Sequence, residues 1–413
     1  MESINWVLNK RAWSYAHSDA VDRVLPPGVV QQTRKFHAQI PGYRISPLKG
    51  LDRLAEMLGL GGIWVKDESQ RLELNSFKVL GGSFAIYNVL REKLGLFDTP
   101  LSLAELSSPD IRKKLGTITF AAATDGNHGR GVAWAASKLG HRAVIYVPCG
   151  TAPARIEAIR GYGAEVQVID GNYDETVEKI AEDAAKNGWQ VISDTAWKGY
   201  ENIPVWVMQG YTTMYSEAQE QMAAQGIIKP THLFLQAGVG ALAASGVAFY
   251  RRLFGTEAPL FATVEPTNAA CLFESMRIGD GNPYKIEGDL KTIMAGLSCG
   301  RPNPIAWNVL WDCAHVAISC PDFVAARGMR MYAVPLAGDP FIVSGESGAV
   351  TLGVLSFIMQ RSELAQLRDR LGLGPDSQVL LLNTEGNTDP DDFRRVVWEG
   401  EHFVPQGFKV TQL

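Results

Sequence analysis

The chain has 413 residues, 46% hydrophobic and 20% charged, with a net charge of −5, which is enough for two domains with sizeable cores. That acidic balance, without any basic block, speaks against a nucleic-acid partner, and no apolar run reaches membrane-spanning length. The start, Met1-Glu2-Ser3-Ile4-Asn5-Trp6, lacks the basic residues and apolar core of a secretory leader.

The five cysteines, Cys149, Cys271, Cys299, Cys313 and Cys320, have no metal-type spacing. The expected setting is therefore the cytoplasm with mostly free thiols; a Cys271–Cys299 bridge stays open as an alternative.

In chain order, the first forty residues read as irregular, with Pro26-Pro27-Gly28 breaking any helix. Ile63 to Lys66 reads as a short strand. The segment Leu74-Asn75-Ser76-Phe77-Lys78 then opens a helix whose first turns hold Gly81 and Gly82. Lys78 has apolar neighbours there. Desolvation disfavours its ammonium form, so the amine gains nucleophilicity and can form a Schiff base. The plainer alternative is a surface lysine, although cations are not favoured at helix starts.

From residue 117 strands and helices alternate. Strands are expected at 117–122, 143–147, 165–169 and 190–193, and helices at 133–139, 154–160 and 174–186. A long helix follows at 204–224, then strands at 232–235, 260–264 and 379–382. Such alternation gives parallel sheets with right-handed crossovers. The reading is two α/β units: a large one from residues 1–87 and 199–413, and a small one, 88–198, inserted in it.

Three turns follow strands and carry chemistry. The first is Thr124-Asp125-Gly126-Asn127-His128-Gly129-Arg130-Gly131. Its glycines let backbone approach a ligand, Asn127 offers a hydrogen-bond partner, and Asp125 places a carboxylate in the crevice at the strand end. The alternative is a glycine turn with an aspartate cap.

The second is Gln236-Ala237-Gly238-Val239-Gly240-Ala241-Leu242-Ala243, whose amides can cradle a phosphate at a helix start. It also fits a dinucleotide fingerprint, with Glu265 after the next strand as the ribose acid. That rival leaves Lys78 and the 125–131 turn without roles.

The third is Asn383-Thr384-Glu385-Gly386-Asn387-Thr388-Asp389, where Thr384 offers a neutral hydroxyl to a ring nitrogen; the alternative is a polar loop. His128 has no second ligand at metal spacing, so no metal is expected. Trp197, Tyr200, Trp206 and Tyr211 read as packing.

Together, Ser76-Phe77-Lys78, Gly126-Asn127-His128, Gly238-Val239-Gly240 and Thr384 resemble the tryptophan-synthase-like (fold type II) group of pyridoxal-phosphate enzymes. Val239 interrupts the group's usual run of glycines. The resemblance implies two open twisted α/β domains with the active site in the cleft between them. It implies pyridoxal 5'-phosphate on Lys78, with Phe77, Asn127, Ala237, Gly238, Val239, Gly240 and Thr384 binding the cofactor. A homodimer acting on a small amino acid is also implied.

Within the group, the chain is most similar to members that eliminate ammonia from 2,3-diaminopropionate. This similarity runs over nearly the whole chain and is densest at residues 124–136, 194–197, 236–241, 292–297 and 344–349. Asp125 discriminates, because relatives that dehydrate serine or threonine generally carry serine there. The implied catalytic residues are Lys78, Asp125 and Asp194. The implied reaction is β-elimination of D- or L-2,3-diaminopropionate, through aminoacrylate, to pyruvate and two ammonia.

An aspartate suits that substrate, since a carboxylate favours its cationic side-chain amine and a serine does not. Lys78 is the natural base for the L-isomer and Asp125 the candidate for the D-isomer. A neutral Thr384 beside the ring nitrogen favours elimination over transamination. A serine/threonine dehydratase of the same fold, a dinucleotide-dependent oxidoreductase and a cofactor-binding regulatory protein remain as alternatives.

Overall fold

The computed structural model describes residues 3–14, 17–97, 99 and 101–410. Its strands are β1 (Asn5–Leu8), β2 (Leu48–Gly50), β3 (Gly62–Asp67), β4 (Thr119–Ala123), β5 (Arg142–Pro148), β6 (Glu165–Ile169), β7 (Gln190–Val191), β8 (His232–Gln236), β9 (Leu260–Pro266), β10 (Val316–Cys320) and β11 (Gln378–Asn383). They form a seven-stranded sheet, β1-β10-β9-β8-β11-β3-β2, and a four-stranded sheet, β6-β5-β4-β7.

The smaller sheet is wholly parallel. In the larger one only the edge strands β1 and β2 run antiparallel. Inner strands such as Val379–Leu382 are apolar at every position and fully buried, as strands covered by helices on both faces must be.

The N-terminal forty residues are not irregular. They supply β1, which pairs with β10, and the helices Asp19–Val24 and Val29–His37. Ser18 caps the first helix, and Pro26-Pro27-Gly28 separates it from the second. The strand escapes local reading because its pairing partner lies some three hundred residues away, and β-propensity depends on such context.

Helix Glu346–Gln360 was also without a local signal. It is buried on nearly every face and so shows no amphipathic period. Elsewhere the expected elements appear with shifted ends: the helix expected from 133 begins at Asn127.

Helix Lys78–Lys93 joins the two layers. A Cβ on Gly81 would stand 2.5 Å from the Tyr211 ring, and one on Gly210 would stand 2.4 Å from the Leu80 carbonyl, so this helix and Asn202–Ala223 meet at backbone distance. On its other side, a Cβ on Gly131 would stand 2.9 Å from Val79 Cα, which brings helix Asn127–Lys138 equally close. Lys78 therefore enters between the two sheets at a fixed height.

A buried ionic cluster locks β3 to the long helix. Lys66 Nζ lies 2.8 Å and Arg71 Nη2 2.6 Å from Glu217 Oε2, and Arg71 also meets Glu68 at 2.7 Å. Two cations face two acids, and Tyr43 donates to Glu217 as well. The five cysteines are all free, including Cys271 and Cys299. Among the described residues no helix is long and apolar enough to cross a membrane.

Candidate active site

The carboxyl end of β4 leads into the turn at 124–126. Thr124 Oγ1 accepts from the N–H groups of Gly126 and Gly129, each at 2.9 Å, and this holds the turn tight. Gly126 has φ +141°, a conformation that a side chain would strain. Asp125 and Asn127 follow from that geometry, both lining one cleft with Lys78 and Gly238.

Two other segments are stitched together on the opposite wall. Phe77 N–H donates to the Thr384 carbonyl at 3.1 Å, and Gly386 N–H to the Asn75 carbonyl at 2.9 Å. Residues 75–78 and 384–386 thus move as one piece, which places Lys78 and Thr384 in the same cleft.

Lys78 Nζ lies 2.6 Å from Asp194 Oδ2, and Tyr173 donates to Asp194 Oδ1 at 3.1 Å. Asn303 fixes the Asp194 backbone through its carbonyl at 2.8 Å. The expectation of a desolvated, weakly basic amine does not hold for this geometry. Burial does lower the Lys78 pKa, but the carboxylates of Asp194 and Asp125 outweigh it and hold the ammonium form. Asp194 is held below the usual carboxylate range: burial raises it, and the Lys78 ammonium, with the hydrogen bond from Tyr173, more than offsets that. His128 directs Nε2 to the Ile192 carbonyl at 2.8 Å, and burial keeps the ring neutral.

Asp125 differs from Asp194. Its Oδ2 is buried without a partner, and burial raises its pKa above the usual value. Asn127 donates to Glu385, a residue that lines the cleft and that the sequence reading left without a role.

At the end of β8 the chain turns through Gly238 and Gly240 into helix Ala241–Phe254. Gly240 has φ +97°, and a Cβ on Gly238 would stand 3.1 Å from Cys299 Sγ and 3.2 Å from the Gly296 carbonyl. Among the described residues, no acceptor takes the N–H groups of residues 238–243. Six such amides at a helix N-terminus fit a phosphate.

Ala237 stands apart from the expected set. Its N–H is still in the sheet, donating to the Val264 carbonyl at 2.9 Å, and its side chain does not line the cleft. Glu265, the acid of the dinucleotide reading, accepts from the N–H groups of Leu272 and Phe273 and caps a helix outside the cleft.

Thr384 Oγ1 accepts from Gln236 Nε2 at 3.0 Å, and the second Gln236 amide hydrogen goes to the Leu382 carbonyl at 2.9 Å. The Thr384 hydroxyl is therefore an acceptor on one side and free to donate on the other. Lys78, Phe77, Asp125, Asn127, Asp194, Gly238, Val239, Gly240 and Thr384 share this one cleft. Tyr173, Gln236, Ser347 and Glu385 join them.

Trp197 and Tyr200 stack on each other at 4.1 Å, and Tyr211 packs against Phe77 at 4.6 Å. Among the described residues no cluster of histidine, cysteine and acids forms a metal site.

The lysine, the phosphate-shaped amide cradle and the neutral hydroxyl all fit pyridoxal phosphate. Residues 40–385 match the family model described as pyridoxal-phosphate dependent enzyme. Diaminopropionate ammonia-lyase from Escherichia coli (strain K12) is 49% identical over 371 residues, covering 90% of this chain and 92% of that protein. The counterpart from Salmonella typhimurium is 44% identical over 400 residues, covering 97% and 99%. A crystal structure of the Escherichia coli enzyme with an aminoacrylate–PLP azomethine reaction intermediate superposes with a TM-score of 0.88 at 44% identity, covering 97% of this chain and 98% of that one.

Proposed function

This chain belongs to the pyridoxal-phosphate-dependent enzyme family, and we propose that it converts 2,3-diaminopropionate and water to pyruvate and two ammonia by β-elimination. Its likeness to diaminopropionate ammonia-lyases over nearly the full length of both proteins supports that activity. The observation that carries it is Asp125, a carboxyl with a buried, unpartnered oxygen, at the position where, by the resemblance, hydroxyl-eliminating relatives generally carry serine.

Pyridoxal phosphate, when bound, supplies an electron sink that stabilises negative charge at the substrate Cα. The protein supplies the rest. Residues 238–243 present amides to a phosphate, and Lys78 gives the attachment point. Thr384 would offer a hydrogen bond to the ring nitrogen while keeping its own proton, and so leave that nitrogen uncharged, because Gln236 already donates to the hydroxyl oxygen.

Lys78 in its neutral amine form takes the Cα proton of the L-isomer, and Asp194 with Tyr173 orients the nitrogen and stabilises the ammonium that results. Asp125 takes that of the D-isomer from the other face. As the Cα proton leaves, the Cβ–N bond breaks and its electron pair goes to nitrogen, so a side-chain ammonium departs as neutral ammonia. A neutral amine would have to leave as an anion, so a carboxylate that keeps the nitrogen protonated serves the step.

The dehydratase reading fits less well, since a serine hydroxyl gives Asp125 no cation to pair with. The dinucleotide reading loses its ribose acid to the helix cap at Leu272. We infer a cytoplasmic homodimer. Free thiols support the compartment, and exposed Val334, Leu336 and Phe341 support a partner surface.

The test is to purify the protein and record its visible absorbance. D- and L-diaminopropionate and serine are then added separately and pyruvate is assayed. The expected result is a yellow protein that loses its colour band with Lys78→Ala and makes far more pyruvate from diaminopropionate than from serine. Turnover of serine alone would favour the dehydratase.

A further inference from the structure

Asp125 carries two duties in this scheme that one carboxyl cannot perform at once: base toward the D-isomer's Cα and partner of the side-chain ammonium. The cleft holds other groups for the second duty. Ser347 and Glu385 are 4% and 2% exposed, both line it, and Ser347 Oγ and Glu385 Oε1 have no hydrogen-bond partner. Asp125 Oδ2 and Gln236 Oε1 are two further such oxygens.

Their placement is specific. A Cβ on Gly296 would stand 3.2 Å from Ser347 Oγ and 3.3 Å from Asp125 Oδ2. Both oxygens therefore face one gap that a glycine keeps open. Glu385 is pinned at its other oxygen by Asn127 and by Thr388 at 3.1 Å, which leaves Oε1 fixed and unfilled.

The charge around the gap is unbalanced. Lys78 is occupied by Asp194. Arg155 sits 3.4 Å from Glu346 and also interacts with Glu385, Asp125 and Asp389. A ligand with N–H donors and a positive charge would suit the unpartnered oxygens of Ser347 and Glu385 and reduce the excess.

We propose that Ser347, beside Gly296, and Glu385 form, next to Asp125, the subsite for the substrate's side-chain ammonium, making Glu385 and Ser347 specificity-determining residues. The proposal rests on the diaminopropionate reading. Glu385 and Ser347 hold the leaving nitrogen in its charged form, and Asp125 remains available toward Cα.

The test compares kcat/KM of the holoenzyme for 2,3-diaminopropionate and for β-chloroalanine, which shares the Cα chemistry but has a neutral side chain. For Glu385→Gln the ratio of the two should fall at least about tenfold, as loss of a charge-assisted hydrogen bond predicts, with the loss mainly in KM for diaminopropionate. Gly296→Ala, which fills the gap and leaves the carboxyls in place, should lower the ratio in the same direction. An unchanged ratio in both variants overturns the subsite and leaves Glu385 as a support for Asn127. Should Glu385→Gln fail to fold, Ser347→Ala and Gly296→Ala decide alone. A wild-type protein that turns over β-chloroalanine but not diaminopropionate would instead defeat the substrate reading beneath it.

Discussion

Lys78 and Asp194 form one buried ion pair, Nζ to Oδ2 at 2.6 Å, although they lie 116 residues apart. Lys78 opens the helix that joins the two layers, and Asp194 follows β7 of the smaller sheet. The pair therefore ties the sheets together in the candidate active-site cleft.

This pair gives a stability prediction with a sign. Asp194 is held below its usual pKa in the folded protein, so its contribution is fully present above the ordinary aspartate value near pH 4 and is lost as pH falls below it. In cofactor-free protein Asp194→Asn leaves a buried ammonium unpaired. It should cost about 3 kcal/mol at neutral pH and flatten the decline of stability below about pH 4. Urea unfolding at neutral and acid pH measures both; parallel pH profiles for the two proteins would reject the assignment.

Glu217 sits in the buried cluster with Lys66 and Arg71, away from the cleft. Burial raises its pKa, but the two cations bring it down to about 2. Its stabilising effect is thus present above its usual 4.5 and disappears as pH falls toward about 2. Glu217→Gln should destabilise by about 3–5 kcal/mol, because two cations then face one acid in the interior. Adding Lys66→Met should recover part of that loss. Guanidinium unfolding of the single and double variants checks both, and a double variant less stable than either single would contradict the pairing.

Gly238 predicts cofactor affinity without touching charge. A Cβ there would press on Cys299 Sγ and on the 296–297 backbone at 3.1–3.2 Å, so Gly238→Ala must shift the loop that carries the amides. Pyridoxal phosphate affinity, measured by absorbance titration of the cofactor-free protein, should weaken about tenfold, the effect of losing roughly one good hydrogen bond to a charged group. Unchanged affinity would mean that the phosphate is held elsewhere.

The parts of this site legible in the sequence each follow a strand in a short motif of glycine and polar residues. Lys78, Asp125, Gly238, Gly240 and Thr384 are of that kind, since strand ends in open α/β sheets are where ligands sit. Asp194 came from resemblance alone, with no local pattern to mark it.

Tyr173, Gln236, Ser347 and Glu385 went unassigned because their roles exist only across long separations. Glu385 matters through Asn127, 258 residues away. Ala237 was misplaced for the opposite reason: its motif is right, but the sheet ladder extends one residue further and consumes its N–H. The fold divides likewise. Alternating strands and helices announce the two parallel sheets, while β1 and the helix Glu346–Gln360 depend on partners that no local window contains.

We propose that Asp125 separates the two substrate isomers. Lys78 occupies one wall of the cleft with its ammonium held by Asp194, and Asp125 enters from the turn after β4 with an oxygen that nothing in the protein engages. The D-isomer presents its Cα proton to the face away from Lys78, so it needs that second base. Burial raises the Asp125 pKa, which makes it a better proton acceptor once ionised than an exposed aspartate would be. Asp125→Asn keeps the shape and removes the base. Turnover of D-diaminopropionate should fall by roughly 100-fold or more, the usual worth of a positioned acid–base group. Turnover of the L-isomer should fall less, because Lys78 still takes its proton. Pyruvate release from each isomer, followed in parallel on the same preparation, reads the difference. Equal losses for both isomers would place Asp125 at the leaving nitrogen alone, and undiminished D-turnover would remove it from the chemistry.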